Sequence, residues 1–290
     1  MERPLKTSLM HYLSVCSGIE SATVAWHHLG WRAAGFSEIE AFPSKVLEHH
    51  YPVTPNLGDM NKYKEWNFNE PIGLLVGGTP CQSFSVSGMR KGLEDPRGNL
   101  ALTYIGILDR FKPTWFIWEN VPGVLSSNGG RDFGSFLGAV AQLGYGFSYR
   151  VLDAQYFGVP QRRRRVFVVG CLRGWESATQ VLFEQGSHRR YPSKIQSGVI
   201  RGTGKTITGC LSTRVGAYDR QDLDILIYDY QNQTVRNLMP IECERLQGFP
   251  DGYTDVEGAT DSKRYKAIGN SMAVPVMKWI GERIDKLEQS

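Results

Sequence analysis

Leu100-Ala-Leu-Thr-Tyr-Ile-Gly-Ile-Leu-Asp-Arg-Phe111, followed by Trp115-Phe-Ile-Trp118, is the stretch that decides the fold. The first run carries its apolar residues at helical spacing, and the second is a short apolar run without alternation. Upstream, Leu74-Leu-Val76 is another such run. Strand, helix, strand is the reading, and runs of this kind belong to strands buried on both faces. The pattern repeats outward. Strands are expected over 11–15, 33–37, 149–153 and 166–169. Helices are expected over 21–29 (with Gly30 as the stop), 44–50 and 133–143. The fold class that follows is α/β, a doubly wound, mostly parallel sheet.

Composition narrows the classes. A chain of 290 residues with 41% hydrophobic and 21% charged residues can bury a full core, so wholesale disorder is excluded. Its 32 glycines exceed the usual ~7% and point to many tight loops. The net charge of +4 leans mildly toward acidic partners. The longest stretch without a charged residue, 71–89, contains four glycines and two prolines and does not read as a membrane helix. No secretory signal is read at the N-terminus, and the five dispersed cysteines form neither a disulfide framework nor a zinc pattern. A reduced, cytoplasmic setting without membrane or metal is expected.

From about 171 to 235 clear helical periodicity is absent. Residues 186–205 are rich in Gly, Ser and basic residues and contain no acid. The expected organisation is a discontinuous domain, 1–170 with 262–290, and a small irregular domain, 171–261, which includes a hinge around 236–253. Helices are expected again over 241–246 and 274–287.

In an open parallel sheet, ligands bind outside the carboxyl ends of the strands. Three such ends are chemically loaded: Leu13-Ser-Val-Cys-Ser-Gly-Ile19, Gly77-Gly-Thr-Pro-Cys-Gln-Ser-Phe-Ser85 and Trp118-Glu-Asn-Val121. One right-handed crossover should place Cys81 and Glu119 across adjacent strand ends, as a nucleophile facing an acid. Alone, a Cys is ordinarily a small buried hydrophobe; the pair in one crevice shifts the balance. In Val159-Pro-Gln-Arg-Arg-Arg-Arg-Val166, strand alternation sends Arg163 and Arg165 to one face and Arg162 and Arg164 to the other.

Five motifs occur in order: Pro80-Cys-Gln-Ser-Phe-Ser85, Glu119-Asn-Val121, Gln161-Arg-Arg-Arg-Arg165, Glu242-Cys-Glu-Arg-Leu-Gln-Gly-Phe-Pro250 and Gly269-Asn-Ser-Met-Ala-Val-Pro275. In these the chain resembles the DNA cytosine-5 methyltransferases, most of all phage and prophage members. The resemblance implies a Rossmann-like methyltransferase acting on a flipped-out cytosine in duplex DNA. Cys81 would add to C6, Glu119 would hold and protonate N3, and Arg163 with Arg165 would support the base and its loop. It implies S-adenosylmethionine as methyl donor. Ser17, Gly18, Ile19, Glu38, Asp59, Met60, Pro80, Asn270 and Ser271 would bind it. Gln82, Ser85, Gln161, Arg162 and Arg214 are the candidates for contacting DNA, and 171–235 would select the target sequence. A monomer is expected, with a separate restriction endonuclease as a partner that the family allows, in a bacterial or phage-infected cell. One departure stands out. The family's first motif is roughly Asp-Leu-Phe-x-Gly-x-Gly-Gly, whereas this chain has Ser14-Val-Cys-Ser-Gly-Ile-Glu-Ser21. Only Gly18 of its glycines remains, and Cys16 stands where Phe is usual.

Two other classes compete: a cytosine-5 methyltransferase for transfer RNA, and a DNA-binding regulator without catalysis. Intact Cys81, Glu119 and Arg163 weigh against the second. Exocyclic amino methylation is disfavoured, because direct transfer to an amine needs no nucleophilic Cys.

Overall fold

The computed structural model describes residues 9–80, 100–184, 226–229 and 233–290. In chain order the strands are β1 (His11–Val15), β2 (Arg32–Ser37), β3 (Leu74–Gly77), β4 (Trp115–Asn120), β5 (Gly146–Asp153), β6 (Arg164–Cys171), β7 (Leu226–Asp229) and β8 (Thr234–Asn237). The α-helices are α1 (Ser21–Trp26), α2 (Ala41–His50), α3 (Leu100–Phe111), α4 (Arg131–Gln142), α5 (Trp175–Leu182), α6 (Pro240–Gln247), α7 (Asp261–Asn270) and α8 (Val274–Glu288).

Six strands form one sheet in the order β2-β1-β3-β4-β6-β5. The first four run parallel, while β6 is antiparallel to both β4 and β5. The chain winds from β1 outward to β2 and then returns to β3 on the other side of β1. The order therefore reverses between β1 and β3, the position where α/β sheets open a binding crevice.

Alternate residues explain the apolar runs. Tyr12, Val76, Ile117 and Val169 face one apolar cluster, whereas Leu13, Leu75, Phe116 and Val168 face a second on the opposite side. With both faces covered, both sets of alternate positions are predominantly apolar. Helices α3 and α4 cover the second face. Helices α1, α5, α6, α7 and α8 supply buried residues to the first.

Two helices differ from the sequence reading. Residues 175–182 were expected to lack helical order but form α5, which buries Ala178, Val181 and Leu182. Its last turn is held by Arg150, which donates to Leu182 O (2.7 Å), and by Arg283 of α8, which donates to the carbonyls of Gln180, Val181 and Phe183. Tertiary contacts, not a long periodic stripe, stabilise so short a helix. Helix α7 was also missed, because only Ala267, Ile268 and Gly269 of its residues are buried.

Helix α8 lies against α1. The Trp26 indole donates to Met277 O (2.8 Å), and a Cβ at Gly281 would sit 2.2 Å from that indole nitrogen, so the approach requires glycine. No helix among the described residues is long and apolar enough to cross a membrane.

Candidate active site at the strand ends

Strands β3 and β4 deliver the chemistry side by side, with Gly77 paired to Trp118. Beyond Gly77 the chain turns through Gly78, Thr79 and Pro80. The end of β4 grips this turn twice: the Trp118 indole donates to Thr79 Oγ1 (3.0 Å), and Asn120 Nδ2 donates to Thr79 O (2.8 Å). Glu119 lies between these two residues in sequence and projects its carboxylate past Gly78. A Cβ at Gly78 would meet Glu119 Oε2 at 2.9 Å and Met272 Cε at 3.6 Å. Gly78 thus leaves the room that Glu119 occupies.

Arg165 approaches the same carboxylate from β6, with its Nε 3.2 Å from Glu119 Oε1. Burial pushes the Glu119 carboxyl above the ordinary range, and the guanidinium groups of Arg165 and Arg163 hold the rise back. A carboxyl tuned this way keeps its proton to higher pH and can donate to a ring nitrogen.

Arg163 lies on the same side of the strand but reaches elsewhere. Only 3% exposed, its Nη2 donates to the carbonyls of Gly269 (3.0 Å) and Ser271 (2.7 Å). Its peptide N–H donates to Asp153 Oδ1 (2.9 Å). Arg163 therefore braces the turn between α7 and α8. Gln247 of α6 helps, donating Nε2 to Ile268 O (2.9 Å) and Ser271 O (3.3 Å). Gln161, a candidate for DNA contact, is instead fully buried and donates to Leu246 O (2.9 Å); a side chain so placed is framework. Arg162 beside it is exposed. Cys81, Gln82, Ser85 and Arg214 lie outside the described residues.

The second part of the crevice lies beyond β1 and β2. Gly18 sits at the apex of the β1–α1 turn with φ +57°, and a Cβ there would meet nothing within 4 Å. Its N–H donates to Glu38 Oε2 (2.8 Å), while Glu38 Oε1 accepts from the N–H groups of Ile39 (2.8 Å) and Glu40 (2.7 Å). Ser17 ties the two strand ends together, its N–H donating to Ser37 O (3.2 Å) and its hydroxyl accepting from Ser37 N–H (3.1 Å). Asp59 Oδ1 accepts from the N–H and side-chain amide of Asn61 (both 2.9 Å), and Met60 is buried beside Cys16. Burial, reinforced by Glu38 and Asp59, pushes the Cys16 thiol up to about 12, so it packs rather than reacts. Ile19 is buried, Asn270 is exposed, and Ser271 follows α7 with its side chain buried.

The space over Gly18 is open and is flanked by the Glu38 carboxylate. Two acids escaped the sequence reading. Glu244 is fully buried on α6, accepting from Gly252 N–H (2.7 Å), from the N–H (2.8 Å) and hydroxyl of Thr254, and from Arg264 (3.1 Å). Glu20 is buried under the Gly18 turn. The replacement of the usual motif glycine by Glu20 was the available signal.

The family model for C-5 cytosine-specific DNA methylases matches residues 10–202 and 174–286. The chain belongs to that family. Among similar methylases is the type II methyltransferase M2.BsuMI of Bacillus subtilis, 27% identical over 96% of this chain and 76% of its own length. Another is M.HpaII of Haemophilus parainfluenzae, 27% identical over 94% and 88%. A protein of Escherichia phage P1 named DNA N-6-adenine-methyltransferase is 33% identical over 95% of this chain, which spans 61% of that relative. In fold, the methylase resembles Entamoeba histolytica methyltransferase EhMeth (TM-score 0.69, 17% identity, 97% and 99% covered). It also resembles a variant of Spodoptera frugiperda DNMT2 (TM-score 0.68, 18% identity, 95% and 99% covered).

Proposed function

We propose that this cytosine-5 methylase acts on a flipped-out cytosine within a specific sequence of duplex DNA, through a covalent bond from Cys81 to C6. The observation that carries the reading is the Glu119–Arg165 pair, held against the turn that leads through Pro80 into Cys81.

Cytosine C5 is a poor nucleophile. In this reading the Cys81 thiolate adds to C6 while Glu119 passes its proton to N3, so C5 becomes enamine-like. Arg165 orients Glu119 and stays within reach of the base. After methyl transfer to C5, a base removes the C5 proton, the C6–S bond breaks to return the thiolate, and N3 returns its proton to Glu119. The target must leave the stack to reach the strand ends. S-adenosylmethionine, when bound, supplies the methyl group. Ser17, Gly18 and Ile19 would face its methionine part, Glu38 its ribose hydroxyls, and Asp59, Met60 and Pro80 its adenine. Asn270 and Ser271 would complete the pocket, on the turn that Arg163 and Gln247 brace.

Gln82, Ser85, Arg162 and Arg214 are proposed DNA contacts. Residues 171–261 are the proposed target-recognition unit beside a catalytic body formed by 1–170 and 262–290, and within that unit α5, α6 and Tyr253 are the parts that pack against the catalytic body. A monomer in the bacterial or phage-infected cytoplasm belongs to the same reading. Methylation of an exocyclic amine, the activity in the phage P1 relative's name, needs no thiol and leaves Cys81 without a role.

Duplex DNA carrying 5-fluorocytosine at the target tests the mechanism, because fluorine cannot leave as a cation and elimination stops. A protein–DNA adduct that survives denaturation, formed only with S-adenosylmethionine and lost in Cys81→Ala, is the expected result. Normal methylation without any adduct, or full activity in Cys81→Ala, overturns it. Transfer RNA assayed in parallel should accept no methyl group.

A further inference from the structure

Glu20 is 1% exposed and plays no part in the chemistry above. Its backbone is left-handed (φ 62°, ψ 61°), a conformation that a glutamate adopts only when its surroundings impose it. Its carboxylate joins the two arms of the donor turn. Oε2 accepts from the Ser14 hydroxyl of β1 (2.7 Å). Oε1 accepts from the N–H (3.2 Å) and bonds the hydroxyl (3.1 Å) of Thr23 in α1. That hydroxyl also bonds Tyr12 (2.6 Å). The Glu20 N–H closes the turn on Ser17 O (3.0 Å), and the Tyr253 hydroxyl, itself bonded to Tyr51 (2.9 Å), donates to Ile19 O (2.9 Å). Among the described residues no cation is paired with Glu20.

A buried carboxylate without a cation is costly to keep, and hydrogen bonds alone support this one. What it secures is the shape of four residues, with Gly18 N–H presented toward Glu38. We infer that Glu20 is a positioning residue for the methyl donor, its carboxylate clamping β1 to α1 so that the Gly18 turn and Glu38 hold the register the donor needs. This inference rests on the donor-site reading above. The clamp depends on where the carboxylate sits, not on which residue carries it. Because the Ser14 hydroxyl already touches that spot, an aspartate at 14 would place a carboxylate there, and a glycine at 20 would adopt the left-handed backbone freely.

Titration with S-adenosylmethionine, together with steady-state kinetics, tests the clamp. Glu20→Ala should raise the Kd and KM for the donor at least tenfold, while kcat at saturating donor and the KM for DNA stay within threefold. Glu20→Gln, which keeps the acceptor for Thr23, should stay within threefold of wild type. The double substitution Ser14→Asp with Glu20→Gly should recover donor affinity to within threefold. A folded Glu20→Ala protein with wild-type donor affinity overturns the inference, as does an equal loss of donor and DNA affinity. Should Glu20→Ala fail to fold, the double substitution decides: folded and binding donor supports the clamp, folded and not binding overturns it. A wild-type protein that binds no donor brings down the donor site itself. Donor binding unmoved by Glu20→Ala brings down the clamp alone.

Discussion

Arg165 Nε stands 3.2 Å from Glu119 Oε1, so the acid ending β4 meets a cation from its antiparallel neighbour β6. The pair sets two opposed influences on one proton. Burial raises the Glu119 carboxyl, and Arg165 lowers it. Removing Arg165 therefore leaves Glu119 protonated to still higher pH. In Arg165→Met the alkaline limb of the kcat profile should move upward, because the burial that raises the Glu119 carboxyl is no longer opposed by Arg165. At the same time kcat should fall by about 10²-fold through the lost orientation. A pH–rate profile at saturating donor and DNA checks both, and an alkaline limb that stays put or moves downward contradicts the assignment of the proton to Glu119.

Gly78 offers a test of geometry without a change of charge. A Cβ there would stand 2.9 Å from Glu119 Oε2, so Gly78→Ala must displace the carboxylate. Misplacement on this scale should cost kcat about 10²-fold. The obstacle is a side chain that can yield, so the melting temperature should change little. Activity retained at the wild-type level would show that Glu119 tolerates the shift and does not act in place.

The Ser271 carbonyl accepts from both Arg163 (2.7 Å) and Gln247 (3.3 Å). Either donor alone keeps it satisfied. Arg163→Met should destabilise the fold by about 3 kcal/mol, since the Gly269 carbonyl also loses a donor, and Gln247→Leu by about 1 kcal/mol. The double variant should cost more than their sum, because only then is the Ser271 carbonyl left without a side-chain donor. Urea unfolding of the four proteins measures this coupling, and strict additivity would contradict it.

Glu20 gives the fold a pH dependence of defined sign. Burial raises its carboxyl from the ordinary 4.5 to about 7. The unfolded chain therefore releases this proton first. The contribution to stability is complete below about 4.5 and is lost as pH rises through about 7, a total of about 3 kcal/mol. Glu20→Gln should remove that part of the slope. Unfolding free energies of the two proteins at pH 5 and 7.5 give the comparison, and parallel curves would refute it.

The sheet was readable because burial on both faces leaves a signature. Leu74-Leu-Val76 and Trp115-Phe-Ile-Trp118 cannot alternate when each side of the strand meets an apolar layer. Strand direction leaves no such mark, and the reversed course of β6 between β4 and β5 could not be read from its residues. Alternation correctly put Arg163 and Arg165 on one face. It could not show that Arg163 would turn to carbonyls more than a hundred positions away while Arg165 took Glu119. Gln161 is a DNA-contact candidate by resemblance alone; in the fold it is fully buried and its Nε2 donates to Leu246 O. Local sequence reports periodicity and charge, whereas these partners depend on long-range closure.

That closure has a consequence for how the protein comes into being. The turn carrying Gly18 is made more than two hundred residues before the groups that complete it: its Ile19 carbonyl waits for Tyr253, and its following helix waits for Met277 and Gly281. A nascent chain can pair β1 with β2 early but cannot finish the crevice around Gly18 until Tyr253, Met277 and Gly281 have been added. A chain stopped before Tyr253 thus carries the Gly18 turn without the hydroxyl that closes on it, so local pairing and the finished shape of the turn belong to separate stages of folding.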